Sequence, residues 1–348
     1  MKAPFPWFGG KSRAAELVWS RFGDVDNLVE PFAGSLAVLL ARPHWPFAAT
    51  RVETVNDLDC YVVNFWRALQ NNPGAVCDAA DNPVNEADLH ARHAWLHRQA
   101  ERVEALKVDP DYFDARVAGY WAWGLSSWIG DNFCRPSKQE SLPHLGDPGK
   151  GVNRQLPHLG DPGKGEPVSG GCADRRARLL AYFLELADRL RGVRVCCGDW
   201  SRVLGPSPTH HLGLTGVFLD PPYDVDGTDY GERAHGLSGA VREWAAEAGK
   251  HPLMRVALCG YADEAHGDAL PGWECVSWKA GGGYNNRGDG ANRGRERIWF
   301  SPACLRQDDL FSSAPLCPAC ALAGTECGWP QQGVARCGKF KEKEAANG

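Results

Sequence analysis

Short apolar runs alternate along this chain with stretches of helical periodicity. The segments NLVE (27–30), RVETV (51–55), VRVCC (193–197), GVFLD (216–220), MRVALC (254–259) and ERIWF (296–300) predict strands. Residues 59–70 and 174–191 predict helices. In the second, Leu179, Phe183, Leu186 and Leu190 recur at the spacing of one helical face. Strand–helix alternation predicts an α/β sheet with helices on both faces. Ligands of such sheets gather at the carboxyl ends of the strands. Glu30, Asp57, Asp199 and Asp220 all fall at such ends.

The alternation breaks between 76 and 175. NEADLHARHAWLHRQAERVEALK predicts helix, and GYWAWGLSSWIGDNFC follows with Trp121, Trp123 and Trp128, expected to be core residues. A tandem repeat, LPHLGDPGKG, then occupies 142–151 and 156–165. Two copies are too few for a solenoid, and their glycines and prolines predict a looped insert. The chain therefore divides into 1–75 and 176–303 as two parts of one α/β core, 76–175 as an insert, and 304–348 as a cysteine-rich tail.

Composition narrows the picture. A hydrophobic content of 43% suffices for a real core, and a net charge of −5 leaves any nucleic-acid contact to local basic patches. No window is apolar for long enough to span a membrane, which predicts a cytoplasmic protein without membrane contact. The 13 cysteines are then expected reduced, buried or metal-bound rather than paired.

The chemistry concentrates in five stretches. PFPWFGGKSR places Trp7, Gly9, Gly10 and Lys11 just before a predicted helix. VEPFAGS runs from the first strand through Glu30, Phe32 and Gly34 into an apolar helix; it has neither the dinucleotide fingerprint nor a Walker lysine. VNDLD sets Asp57 past the second strand, where an acid suits two ribose hydroxyls or a helix N-cap. VCCGDW supplies Asp199. VFLDPPY ends a strand in Asp220, Pro221, Pro222 and Tyr223. The prolines fix φ and lack an amide hydrogen, so this is a rigid edge of acceptors beside an aromatic ring.

Read together, and in this order, these stretches resemble the Dam-like DNA adenine methylases. The resemblance implies a class I methyltransferase sheet with a target-recognition insert, S-adenosylmethionine as cofactor and duplex DNA as substrate. Trp7, Lys11, Asp57 and Asp220 match the family's cofactor-contacting residues, and Glu30, Phe32 and Gly34 match its loop under the methionine part. Asp199 matches the acid near the adenine of the cofactor, and Asp220 to Tyr223 match the catalytic tetrapeptide. Where the family has a second glycine, this chain has Leu36, which implies a reshaped cofactor loop. The implied reaction is methyl transfer to the 6-amino group of a flipped adenine, in a bacterial or phage-infected cell. The 4-amino group of cytosine is the alternative target, and a non-catalytic DNA-binding protein with a zinc tail is the alternative from another class.

Two further expectations come from residue types. Arg287, Arg293, Arg295 and Arg297, among glycines, suit phosphate contact or a solvated hairpin, and residues 134–178 carry eight Lys/Arg against five Asp/Glu. Cys317, Cys320, Cys327 and Cys337 can supply four thiolates to one zinc ion.

Overall fold

The computed structural model describes residues 1–7, 10–47, 50–109, 111–128, 133–134, 155–157, 166–167, 172–222, 236–261, 269–278 and 296–306. The chain runs α1 (Ala15–Phe22), β1 (Asn27–Glu30), α2 (Ala37–Leu40), β2 (Val52–Asp57), α3 (Cys60–Asn71), α4 (Pro73–Ala80), α5 (Glu86–His97), α6 (Ala100–Val103) and α7 (Ala115–Ser127). There follow β3 (Gln155–Leu156), β4 (Glu166–Pro167), α8 (Cys172–Leu190), β5 (Arg194–Cys197), β6 (Thr215–Leu219), α9 (Leu237–Ala248), β7 (Met254–Tyr261), β8 (Glu274–Ser277) and β9 (Glu296–Phe300).

Seven strands form one sheet in the order β5-β2-β1-β6-β7-β9-β8. Pairing is parallel from β5 through β7, and β9 runs antiparallel to both its neighbours. This is the mostly parallel sheet of a class I methyltransferase fold, as the resemblance implied. Successive residues of each strand face opposite sides. Leu28, Phe218, Ala257, Ile298 and Phe300 join a core with α1, α2, α3, α7 and α8, whereas Val29, Val217, Leu219, Val256 and Trp299 join a second core with α9. Both faces are covered, so the strands read as nearly continuous apolar runs rather than as alternating ones.

The six expected strands are present with ends shifted by a residue or two. The strand β8 was not expected. It lies at the sheet edge with alternating half-buried and exposed residues, so ECVS offers too short and too polar a signal. The predicted face of α8 holds: Leu179, Phe183, Leu186 and Leu190 are all buried.

Asx residues open four of the helices that follow β2. Asp59 accepts from Tyr61 N–H at the start of α3, Asn72 from Ala75 N–H at α4, Asn85 from Ala87 N–H at α5, and Asp114 from Val117 N–H at α7. Each satisfies a backbone donor that the helix itself leaves unpaired. The helix α3 is buried nearly all round, with the sheet, α7 and α8 packed against it. Trp121, Trp123 and Trp128 are buried, as expected of core residues. The helices α4 to α7 thus share one core with the sheet, within a unit spanning Met1–Cys304.

Beneath α2 lies a buried ionic triad. Glu53 of β2 accepts two hydrogen bonds from Arg189 of α8, at 2.6 and 2.8 Å, and one from Arg42 at 3.1 Å. All three side chains are buried. Arg189 also donates to the Leu39 carbonyl at 2.9 Å, and Arg42 to that of Val25, so the cations bind the end of α2 and the turn before β1 to Glu53 of the sheet. Removing the single anion would leave two buried guanidinium groups facing each other. Glu53→Ala is therefore expected to lower unfolding free energy by roughly 3–5 kcal/mol, read by urea denaturation.

Candidate functional site

The strand order reverses at β1, which lies between β2 and β6, and ligands of such sheets bind outside the strand ends at that point. The loop after β1 forms one wall. Its shape is set by neighbours rather than by its own sequence. Ala33 N–H donates to the Asn56 carbonyl at 2.8 Å, and Gly34 N–H donates to Asp57 Oδ2 at 2.9 Å. The Gly34 carbonyl accepts from the Trp66 indole at 2.9 Å. Gly34 has φ +45°, and a Cβ there would stand 2.6 Å from Trp7 Nε1. Only glycine meets both conditions.

Two residues further on, Leu36 takes φ 54° and ψ 34°, in the left-handed region. This is the position where the resembled family has its second glycine. The loop keeps the backbone conformation that glycine adopts easily and here holds a fully buried leucine.

Asp57 does not cap α3, because Asp59 does. Its carboxylate instead accepts from Gly34 N–H on one oxygen and from Asp59 N–H, at 2.9 Å, on the other. Burial, reinforced by the charge of Asp59, raises its pKa to about 6 against the pull of backbone N–H groups. With up to four lone-pair sites, the carboxylate retains acceptor capacity for a hydroxyl-bearing ligand. Glu30 lies deeper, 1% exposed, and accepts from Leu39 N–H. It thus caps the short α2, whose own N-cap residue Leu36 has no side chain to do so. Burial, which outweighs that hydrogen bond, raises the Glu30 pKa to about 8. Glu30 supports the loop from beneath.

The other wall is the end of β6. Asp220 lies there with buried Pro221 and half-buried Pro222. Lys11, 3% exposed, places its ammonium 2.9 Å from Asp220 Oδ1, 4.0 Å from Glu296 Oε2 and 5.6 Å from the centre of the Trp278 ring. Burial would strip the proton from this lysine; the attraction of the surrounding anions, Asp220 foremost, outweighs it and holds the pKa above the ordinary lysine value.

Beyond β2, Phe32 stacks on Trp200 with ring centres 6.2 Å apart, so rings from the loops after β1 and β5 meet. Asp199, exposed, accepts from Ser201 N–H at 2.9 Å and from its hydroxyl, and so caps a short 3-10 turn. Cys60 at the start of α3 and Cys197 at the end of β5 bring their sulfurs within 3.7 Å. Cys60, Cys77, Cys134, Cys196, Cys197, Cys259, Cys275 and Cys304 are free thiols.

Asn56 is a site residue whose role the sequence reading missed, although it lies within VNDLD. Its buried amide donates to Pro31 and Gly198 carbonyls at 3.1 and 2.9 Å, tying the loops after β1 and β5 to β2. The signal available was its place beside Asp57; the partners lie 25 and 142 residues away in sequence.

The structure thus brings Trp7, Glu30, Gly34 and Asp57 together on one wall and Lys11 with Asp220 on the other. Tyr223, Phe8, Gly9, Arg287, Arg293, Arg295, His144, His158 and the four tail cysteines lie outside the described residues. Among the described residues no group of three or more His, Cys, Asp or Glu is placed to hold a metal, and no helix is long and apolar enough to cross a membrane.

Residues 7–118 match the model of a family described as D12 class N6 adenine-specific DNA methyltransferase. The match begins at Trp7 and takes in Lys11, the Gly34 loop, Asp57 and the helices α3 to α6. It supports methylation of adenine N6 in DNA, with S-adenosylmethionine use implied by the family. No curated protein matches the chain.

Gly34→Ala tests the first wall. The added methyl meets the Trp7 indole at an unfavourable φ, so affinity for S-adenosylhomocysteine is expected to fall about tenfold or more, read by calorimetry.

Proposed function

We propose that this chain transfers a methyl group to the 6-amino group of a flipped adenine in duplex DNA, with S-adenosylmethionine held against the Gly34 wall and the base against the Asp220 wall. The observation that supports it most is the ion pair of buried Lys11 with half-buried Asp220, at the end of the strand beside the one that carries the Gly34 loop, where the strand order reverses. The family match, adenine-specific as described, favours adenine over cytosine.

The residues present fit the cofactor. Gly34 keeps a Cβ-free surface against Trp7, and Asp57 offers carboxylate lone pairs to ribose hydroxyls. Phe32 and Asp199, on the loops after β1 and β5, suit an adenine ring and its amino group. When bound, S-adenosylmethionine supplies a methyl group made electrophilic by its sulfonium.

The chain supplies the rest. The adenine amino nitrogen is a poor nucleophile because its lone pair is delocalised into the ring. Asp220 and the Pro221 carbonyl accept its two N–H groups, which favours a pyramidal nitrogen with a directed lone pair. The same acceptors stabilise the positive charge that develops there. Lys11 holds Asp220 in place before substrate arrives, and Tyr223 stacks on the base. Since the amino group is paired inside a duplex, the base leaves the stack at a cost of a few kcal/mol. The work belongs to the cytoplasm of a bacterial or phage-infected cell, where such DNA is found.

Incubation with labelled S-adenosylmethionine and unmethylated DNA, followed by nucleoside mass spectrometry, is expected to yield N6-methyladenine. Asp220→Ala should lower the transfer rate by about 10²-fold or more while the protein stays folded. Near wild-type turnover by that variant would refute the role given to Asp220.

The tail carries a separate proposal: Cys317, Cys320, Cys327 and Cys337 hold one structural zinc ion. Its support is residue type, since this segment has few large apolar residues with which to build a core. Elemental analysis is expected to show about one zinc per chain, lost on truncation after Phe300; metal-free wild-type protein would reject the site.

A further inference from the structure

Glu296 belongs to none of the five sequence motifs, yet it reaches the reaction edge. The reason is topological. Because β9 runs antiparallel to β7, its first residue pairs with the last of β7, Glu296 against Tyr261. The start of β9 therefore falls at the same edge as the ends of β6 and β7. Lys11 spans this edge, with Asp220 of the β6 end at 2.9 Å and Glu296 at 4.0 Å. Trp278, which follows β8, lies within cation–π reach of the ammonium and donates its backbone N–H to the Glu296 carbonyl at 3.4 Å. The Cys259 thiol of β7 is fully buried beside these groups and is held well above the ordinary thiol pKa by burial and its acidic neighbours, so it adds no charge.

A buried ammonium paired with one carboxylate makes a neutral site in which the cation draws on the acceptor that the amino group needs. Two carboxylates around one ammonium divide its attraction and leave the site anionic. That sign suits a reaction in which positive charge develops on the amino nitrogen. Glu296 is 6% exposed, and so deep a carboxylate needs a compensating partner such as Lys11.

We propose that Glu296 is a positioning residue for methyl transfer: it shares the Lys11 ammonium with Asp220, and so fixes Asp220 at the end of β6 while keeping the site anionic. This rests on the methyl-transfer reading of the same site.

The test is single-turnover methyl transfer by the full chain to unmethylated plasmid DNA at saturating S-adenosylmethionine, with affinities for S-adenosylhomocysteine and DNA measured beside it. Glu296→Gln, close in shape but uncharged, should slow transfer about tenfold while both affinities stay within about twofold. Lys11→Met should also slow it, and the double variant should be no slower than Lys11→Met alone, because Glu296 acts through Lys11. A wild-type rate in Glu296→Gln, or losses that multiply in the double variant, would overturn the proposal. Should Glu296→Gln fail to fold, Glu296→Asp decides. Its shorter reach should slow transfer several-fold at unchanged affinities, and a wild-type rate would overturn the proposal. Absence of transfer by the wild-type chain would refute the parent reading and this one with it, an outcome distinct from active wild type beside an unaffected variant.

Discussion

The hydrogen bond from Gly34 N–H to the Asp57 carboxylate is the joint on which the site depends. It connects the loop after β1 to the end of β2, so neither wall element is placed by its own strand alone. The Trp66 indole holds the next peptide by donating to the Gly34 carbonyl, and Trp7 closes over the Gly34 α-carbon. Asn56 extends the joint to the loop after β5. A crevice built this way is preorganised. Its backbone groups already have partners, so binding need not first order the loop.

Charge at the site differs from what a count of acids suggests. Glu30 has a pKa near 8 and is largely protonated at neutral pH, whereas Asp57, near 6, is mostly ionised. Glu53 carries its charge against two buried arginines. In the proposed site, the carboxylates placed toward a ligand are Asp57 and exposed Asp199 on the cofactor side, and Asp220 and Glu296, both beside Lys11, on the other. Burial separates the acids that support the frame, Glu30 and Glu53, from those proposed to meet the ligand, a distinction that sequence alone does not show.

The parallel core was legible because both sheet faces are covered. The strands then read as short, mainly apolar runs, and α8 showed its buried face as a plain periodic stripe. The edge strand β8 was not legible, since half its residues face away from any core. The candidate site residues could be proposed from sequence where they cluster along the chain, as in VFLDPPY and VNDLD. Glu296 was not, because its relation to Lys11 depends on β9 inserting between β7 and β8, a spatial order that no local pattern encodes. Asn56 was hidden for the same reason, and Asp57 was separated from a capping role only by seeing Asp59 take it.

Leu36 shows how the loop tolerates a departure from the pattern of the family it resembles. A left-handed conformation costs an L-residue about 1–2 kcal/mol, which glycine avoids. Burying a leucine side chain contributes about 1.5–3 kcal/mol, and Leu36 is fully buried in the core beside α2. The two terms are comparable, so the strained backbone persists because the side chain anchors it. The loop is thereby fixed from inside by packing, where a glycine would leave it to hydrogen bonds alone. The substitution retains the turn that brings Gly34 against Trp7 and exchanges ease of folding at one residue for a firmer hold on the wall.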